Sequence, residues 1–287
     1  MPDAVGSLPI AIIPADSESR EPFAQHFFVG GNSTIINILK DNIDELSLTA
    51  STANFEATLA RLQDLLQNKT ASISIDGAEL NDSSLVLSLN IEQIAGHKFP
   101  TGFPSRRAWI HLTVTDARGN VVFESGKPDT EGGITGCDAD NDAGSYEPHY
   151  DIISQPDQVQ IYESIMQDVY GDVTYTLLYG AGYAKDNRML PLGFDIENAV
   201  ENIAIYGLAA NDSNFIGGSD QITYQIDTTG HSGPFTIKVE LLYQTISYQF
   251  AQDLFNDDGT LIDEFAGLYQ EADKSPTLID TISQSVS

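Results

Sequence analysis

The chain has 287 residues, with 42 acidic against 13 basic side chains, 41% hydrophobic residues and a single cysteine. A formal net charge of −29 repels phosphate backbones and anionic lipid surfaces, which sets nucleic acid aside as a partner. Lone Cys137 excludes an internal disulfide, a Cys-x-x-Cys redox pair and a cysteine-rich zinc site.

Residues 1–31 read as an extended leader, broken up by Pro2, Pro14 and Pro22. The apolar run at 10–13 is too short for a signal peptide. No stretch of the chain approaches the ~18 apolar residues of a membrane helix, so no membrane insertion is expected. Gly30-Gly31-Asn32-Ser33-Thr34 then marks a helix start, and Ile35, Ile36, Leu39, Ile43 and Leu46 recur at helical spacing to residue 47. A second helix is predicted over 53–67, with Phe55, Leu59, Leu62, Leu65 and Leu66 on one face. Together they predict a helical hairpin over 32–68.

From residue 70 the apolar period falls from about 3.6 to 2. Ile73 and Ile75 alternate with serines, and Leu85, Leu87, Leu89 and Ile91 define a second strand. Ala108, Ile110, Leu112 and Val114 define a third, joined through the turn at 116–120 to a strand at 121–124. Further strands are predicted at 158–164, 173–179, 221–226 and 235–246. After 247 the spacing of Phe250, Leu254, Leu261, Phe265 and Leu268 is helical again. The expected fold is mainly β: an antiparallel β-sandwich over 69–250, preceded by the helical hairpin and followed by a helical tail over 251–287.

Two stretches concentrate side chains capable of chemistry. Asp138, Asp140 and Asp142 stand at alternate positions before Gly144, with Glu147 close behind. Carboxylates so spaced in a tight loop converge on a hard cation, and Ca2+, which takes six to eight oxygens, is the one they suit. The pattern is no EF-hand, because Gly144 falls at loop position 7 and His149 at position 12. The competing reading is a solvated acidic loop. The second stretch, 96–109, places His97, Lys98, Arg106, Arg107 and Trp109 among two prolines and two glycines. It reads either as an anion site or, the favoured reading, as a rigid corner knitted by Arg–Asp pairs. Elsewhere His26, His97, His111, His149 and His231 form no His-Glu-x-x-His or similar pair. No nucleophile elbow, phosphate loop or dinucleotide fingerprint is legible. Cys137 lies among carboxylates, which oppose its activation as a nucleophile. No enzyme is expected.

Several segments, taken in order, resemble the pattern of one family. They are 26–32 (His-Phe-Phe-Val-Gly-Gly-Asn), 96–109, Tyr146-Glu147-Pro148-His149-Tyr150, Gln158-Val159-Gln160-Ile161-Tyr162-Glu163, Lys185-Asp186-Asn187-Arg188-Met189-Leu190-Pro191, 217–220 and 242–244. In these the chain resembles the haem-free C-terminal module of multihaem c-type cytochromes. The resemblance implies a periplasmic or cell-surface protein whose upstream part carries haem c on Cys-x-x-Cys-His motifs. This chain has none, so it holds no c-type haem by itself. It opens Met1-Pro2-Asp3, and in similar cytochromes Met-Pro often follows a haem motif, which leads us to expect a fragment beginning just after one. On the same resemblance His26 matches a distal haem ligand offered to the upstream domain. The implied function is a non-catalytic module that caps, docks or assembles a multihaem domain or a redox partner protein. The alternative is a stand-alone, calcium-stabilised sandwich that binds a saccharide or a surface protein.

Overall fold

Leucine and isoleucine alternating with polar residues build the centre of the molecule. In the computed structural model, which describes every residue except Met1, Pro2, Val5, Ile10, Gln25, His26 and Phe28, Leu85, Leu87, Leu89 and Ile91 line one buried face of the strand Ser84–Gln93. Ile222, Tyr224 and Ile226 continue that face on Ser219–Asp227. This first sheet runs Ala71–Asn81, Ser84–Gln93, Ser219–Asp227, Ile152–Ile153.

The second sheet runs Ile161–Tyr162, Arg107–Thr115, Phe235–Gln244, Thr277–Val286, with Val121–Ser125 also paired to Arg107–Thr115. Ile110, Leu112 and Val114, and opposite them Ile237, Val239 and Leu241, form its buried face. The rings of Phe123 and Tyr224 meet across the two sheets with centroids 6.1 Å apart. At the sheet edges, Ile73 N donates to Asp280 Oδ2 at 2.9 Å. Each fully buried aliphatic side chain contributes roughly 1.5–3 kcal/mol, so these alternating faces dominate the stability of the sandwich. A small third sheet joins Val173–Thr174, Ser164–Gln167 and Gly182–Asp186.

The helices Ser33–Asp41 and Thr52–Lys69 form the expected hairpin. The second is closed at its start by a capping box, in which Ser51 Oγ accepts from Asn54 N while Asn54 Oδ1 accepts from Ser51 N. Tyr248–Phe255 and Thr260–Glu271 are the C-terminal helices. Ile38 of the hairpin packs with their Ala251 and Tyr269, so the two helical pairs share one apolar cluster.

The mainly-β fold with flanking helices is therefore the observed one, and several details differ from expectation. The 251–287 tail is not helical throughout: Thr277–Val286 is a strand of the second sheet. Only Ile279 is buried on it, so its apolar period was too weak to read. The first helix ends at Asp41, and residues 42–48 continue as turns, with Ser47 at φ 52°. The predicted strand at 173–179 shrinks to Val173–Thr174. One pairing is parallel, Thr223–Tyr224 with Ile152–Ile153, reached by a long excursion through residues 154–218. Among the described residues no helix is long and apolar enough to cross a membrane.

The chain divides into two units, 1–31 and 32–287. The first holds two short antiparallel ladders, Asp3–Ala4 with Phe23–Ala24 and Leu8–Pro9 with Ser19–Arg20. His26 lies outside the described residues.

Candidate functional site

Charged side chains are almost never buried unless they are paired, and this protein buries a connected set of them. Arg107 opens the strand Arg107–Thr115 and points inward. Its Nη1 and Nη2 donate to Asp140 Oδ1 and Oδ2 at 2.8 and 2.9 Å. Nε donates to Gln244 Oε1 at 2.8 Å, Nη2 also reaches Gly132 O at 3.1 Å, and Nη1 reaches the Cys137 sulfur at 3.9 Å. All five N–H groups are thus engaged within the protein. Burial alone would lower the guanidinium pKa, and the Asp140 charge beside it more than reverses that, so the group stays cationic. Burial pushes the Cys137 thiol up to about 12, too high for a thiolate nucleophile at neutral pH.

The rest of the 96–109 loop is held just as closely. The Phe99–Pro100 peptide is cis, and Phe99 bridges to Met189 through paired backbone hydrogen bonds. Lys98 Nζ donates to Asp186 Oδ2 at 2.9 Å and to Ala204 O at 2.9 Å. Arg188 grips the same carboxylate with Nε at 2.8 Å and Nη2 at 2.7 Å. Trp109 Nε1 donates to Gly126 O at 2.9 Å. Gly126 sits at φ 76°, where a Cβ would collide with the Ile110 carbonyl oxygen, so only glycine fits under the indole. Arg106 stays half-buried, donating to Thr101 O at 2.6 Å and to Asn32 Oδ1 at 2.9 Å. His97 is exposed, and its ring reaches only the Lys98 carbonyl at 2.9 Å.

The acidic stretch is not the loop that the spacing suggested. Asp138–Asn141 is one helical turn, and a helix rotates residues i and i+2 by about 200°, which separates alternate carboxylates onto opposite sides. Asp140 turns inward onto Arg107 and Ile134 N, whereas Asp138 and Asp142 stay at the surface. Asp142 closes a turn through Gly144 N and Ser145 Oγ. Glu147 is fully buried, accepting from Asp138 N at 2.9 Å and from the Tyr150 hydroxyl at 2.9 Å. Burial raises its pKa to about 7. The four carboxylates are therefore not gathered at one point.

What the structure does gather is His149, Asp212 and Asp220, each offering one ligand atom within 4.8 Å of the others. His149 Nε2 lies 3.2 Å from Asp212 Oδ2 and 3.8 Å from Asp220 Oδ2. The hydrogen bonds around the ring fix its tautomer. Gln160 Oε1 accepts from Tyr150 N, so its amide nitrogen is the atom that meets His149 Nδ1 at 2.8 Å. Asn187 Oδ1 accepts from Glu163 N, so its nitrogen likewise faces Nδ1, at 3.1 Å. Flanked by two donors, Nδ1 must be the unprotonated acceptor, and the ring proton lies on Nε2, directed at Asp212. A metal-bound histidine needs the reverse, a free Nε2 lone pair and an Nδ1–H given to an acceptor. The donor set thus suits a shared proton and not a cation. The same surroundings keep the imidazole neutral: burial first, then the Lys185 charge, lower its pKa to about 4. Burial raises Asp220 to about 7 against the Tyr162 hydroxyl donating at 2.7 Å.

Comparison with known proteins adds one likeness. No family model matches the chain, and no curated protein does. A solved structure, the penta-haem cytochrome c552 from Thermochromatium tepidum, is similar over 78% of this chain and 41% of that one, with a TM-score of 0.45 and 14% identity. The chain thus spans about two-fifths of the length of that cytochrome. Its single cysteine leaves it without a Cys-x-x-Cys-His motif of its own.

Spacing and composition point to Arg106, Arg107 and Trp109 but give no role to Asp186, Glu163, Lys185, Asn187, Gln160 or Asp220. Lys185 Nζ donates to Glu163 Oε1 at 3.0 Å and to Ile161 O at 2.9 Å, and Asn187 donates to the same carbonyl at 2.8 Å. The available signal was polar residues interrupting apolar runs, as in Val159-Gln160-Ile161-Tyr162-Glu163. Asp212 directly follows the 3-10 turn Leu208–Asn211, whose composition carries no such signal.

Proposed function

We propose that the chain is a haem-free, non-catalytic module of the kind that accompanies multihaem c-type cytochromes. In this reading it supports electron transfer by capping, docking or assembling a haem domain, at the periplasmic side or the cell surface. One observation carries the reading. The segments through which the sequence resembles that family, 96–109, 146–150, 158–163, 185–191, 217–220 and 242–244, supply the buried charged residues among those described, Asp116 excepted: Arg107, Glu147, His149, Glu163, Lys185, Asp186 and Asp220, joined by Gln160, Asn187 and Gln244 and by half-buried Lys98 on Asp186. Residues so committed to one another hold a fixed scaffold, which is the task of a supporting module. His26 belongs to this reading as an axial ligand given to a haem of the neighbouring domain.

Reading the gene upstream of the Met1 codon tests the proposal. An open frame that continues into Cys-x-x-Cys-His codons is the expected result. A stop codon in frame directly before Met1, with no haem-protein gene beside it, would overturn it.

A further inference from the structure

We propose that the face built on Ser164–Gln167, Gly182–Asp186 and the 192–203 loop docks a protein whose contact patch is apolar at its centre and cationic at its rim. The inference stands on the composition of this surface and holds whether or not the haem reading does.

The first observation is apolar exposure concentrated in a short span of chain. Leu178 is 94% exposed and Tyr170 87%, and Val169, Tyr179, Leu192 and Val200 are exposed with them. Single exposed hydrophobics are ordinary, whereas a group of this size marks an interaction surface. On the same strands opens a cavity of about 580 Å3, lined by Met166, Leu177, Tyr183, Val200, Glu201 and Tyr206. A recess of that kind takes an aromatic or aliphatic anchor from a partner.

The second observation is charge. Between Lys127 and Lys238 the chain carries only two cationic residues, Lys185 and Arg188. Both are spent internally, on Glu163 and on Asp186, with side-chain exposures of 1% and 14%. Asp172, Asp195, Glu197 and Glu201, in the same stretches of chain, meanwhile stand exposed, and Glu201 lines the cavity. These exposed carboxylates therefore have no free cation from their own stretch of chain, and a complementary surface is cationic. A second copy of this chain would set carboxylates against carboxylates, each copy carrying a net −29. An anionic membrane is disfavoured on the same ground.

The third observation is stiffness. Lys98, Asp186, Arg188, Lys185 and Glu163 tie the Gly182–Asp186 strand to the sandwich from beneath. A face already held in place loses little freedom on binding.

Horse-heart cytochrome c, a basic protein with an exposed apolar haem edge ringed by lysines, serves as the probe, with its lysine-succinylated form as the charge-reversed control. Titration calorimetry at low ionic strength is expected to show binding of the native probe and none of the succinylated one. The double variant Leu178→Ser/Tyr179→Ser should weaken binding at least tenfold, and Tyr170→Ser provides a second, independent change on the same face. Leu261→Ser, exposed on the Thr260–Glu271 helix, should leave affinity within twofold. No binding of the native probe, or an equal loss in Leu261→Ser, would overturn the proposal. So would sedimentation showing a dimer that the double variant dissolves, which would assign the face to a second copy.

Discussion

Arg107 shows how much can hang on one side chain. Its guanidinium joins the second sheet, the Asp138–Asn141 turn, the Gly132 carbonyl and Gln244. Removing one partner of such a pair strands the other charge in the interior, at a cost of about 3–5 kcal/mol. Asp140→Asn is therefore expected to lower the unfolding free energy by about that amount in urea titrations. Arg107→Met should do the same, while the double variant Arg107→Met/Asp140→Asn should lose clearly less than the sum of the two. An additive double variant would mean that the two side chains act separately. The sequence already showed that Arg106 and Arg107 were delivered by an unusual loop. It could not show that Arg107 alone turns inward, because that depends on a carboxylate 33 residues away, Asp140, whose spacing from Asp138 and Asp142 points to a cation instead.

At the scale of elements, the one-turn helix Asp138–Asn141 separates what an extended loop would have converged. Addition of EGTA is accordingly expected to leave the melting temperature unchanged, since a cation held only by the folded form would have to raise it. The segment 146–150 and the strand Ser219–Asp227 shape the pH response. Glu147 and Asp220 are raised to about 7, so each holds its proton more tightly folded than unfolded. Their stabilising share is complete below the ordinary carboxyl range and is lost as pH rises through 7. His149, lowered to about 4, acts oppositely: its share is present above the ordinary histidine value and is lost as pH falls toward 4. Between about pH 4.5 and 6.5 two folded protons oppose one unfolded proton, and the cluster weakens by up to about 1.4 kcal/mol per pH unit. Glu147→Gln keeps the buried shape without the charge. Relative to the parent, it should be more stable at pH 8 than at pH 5 by about 1–2 kcal/mol, read from urea midpoints. The strands carrying Leu85–Ile91 and Ala108–Val114 alternation were legible because one whole face is buried. Thr277–Val286 was not, because an edge strand with a single buried residue has almost no period to detect.

For the whole molecule, most of the acidic excess is carried at the surface, since the interior cations are met by interior carboxylates: Arg107 by Asp140, Lys185 by Glu163, and Lys98 and Arg188 together by Asp186. Repulsion among like surface charges opposes the compact state and is screened over about 8 Å at physiological ionic strength. The melting temperature is expected to rise when NaCl is increased from a few millimolar to about 0.15 M. A fall would show that the paired charges, and not the unpaired excess, control the balance.

Trp109 is the protein's one tryptophan, fully enclosed beside Arg107 and hydrogen-bonded to Gly126 O. All indole fluorescence therefore originates from a single point at the junction of the second sheet and the buried corner. Its emission should move to the red in one step when that corner opens, reporting on the Arg107 variants without any added label. A haem absorbs where tryptophan emits, so a haem protein settling on this molecule would quench that same light. The chain carries its own distance gauge for the partners proposed for it.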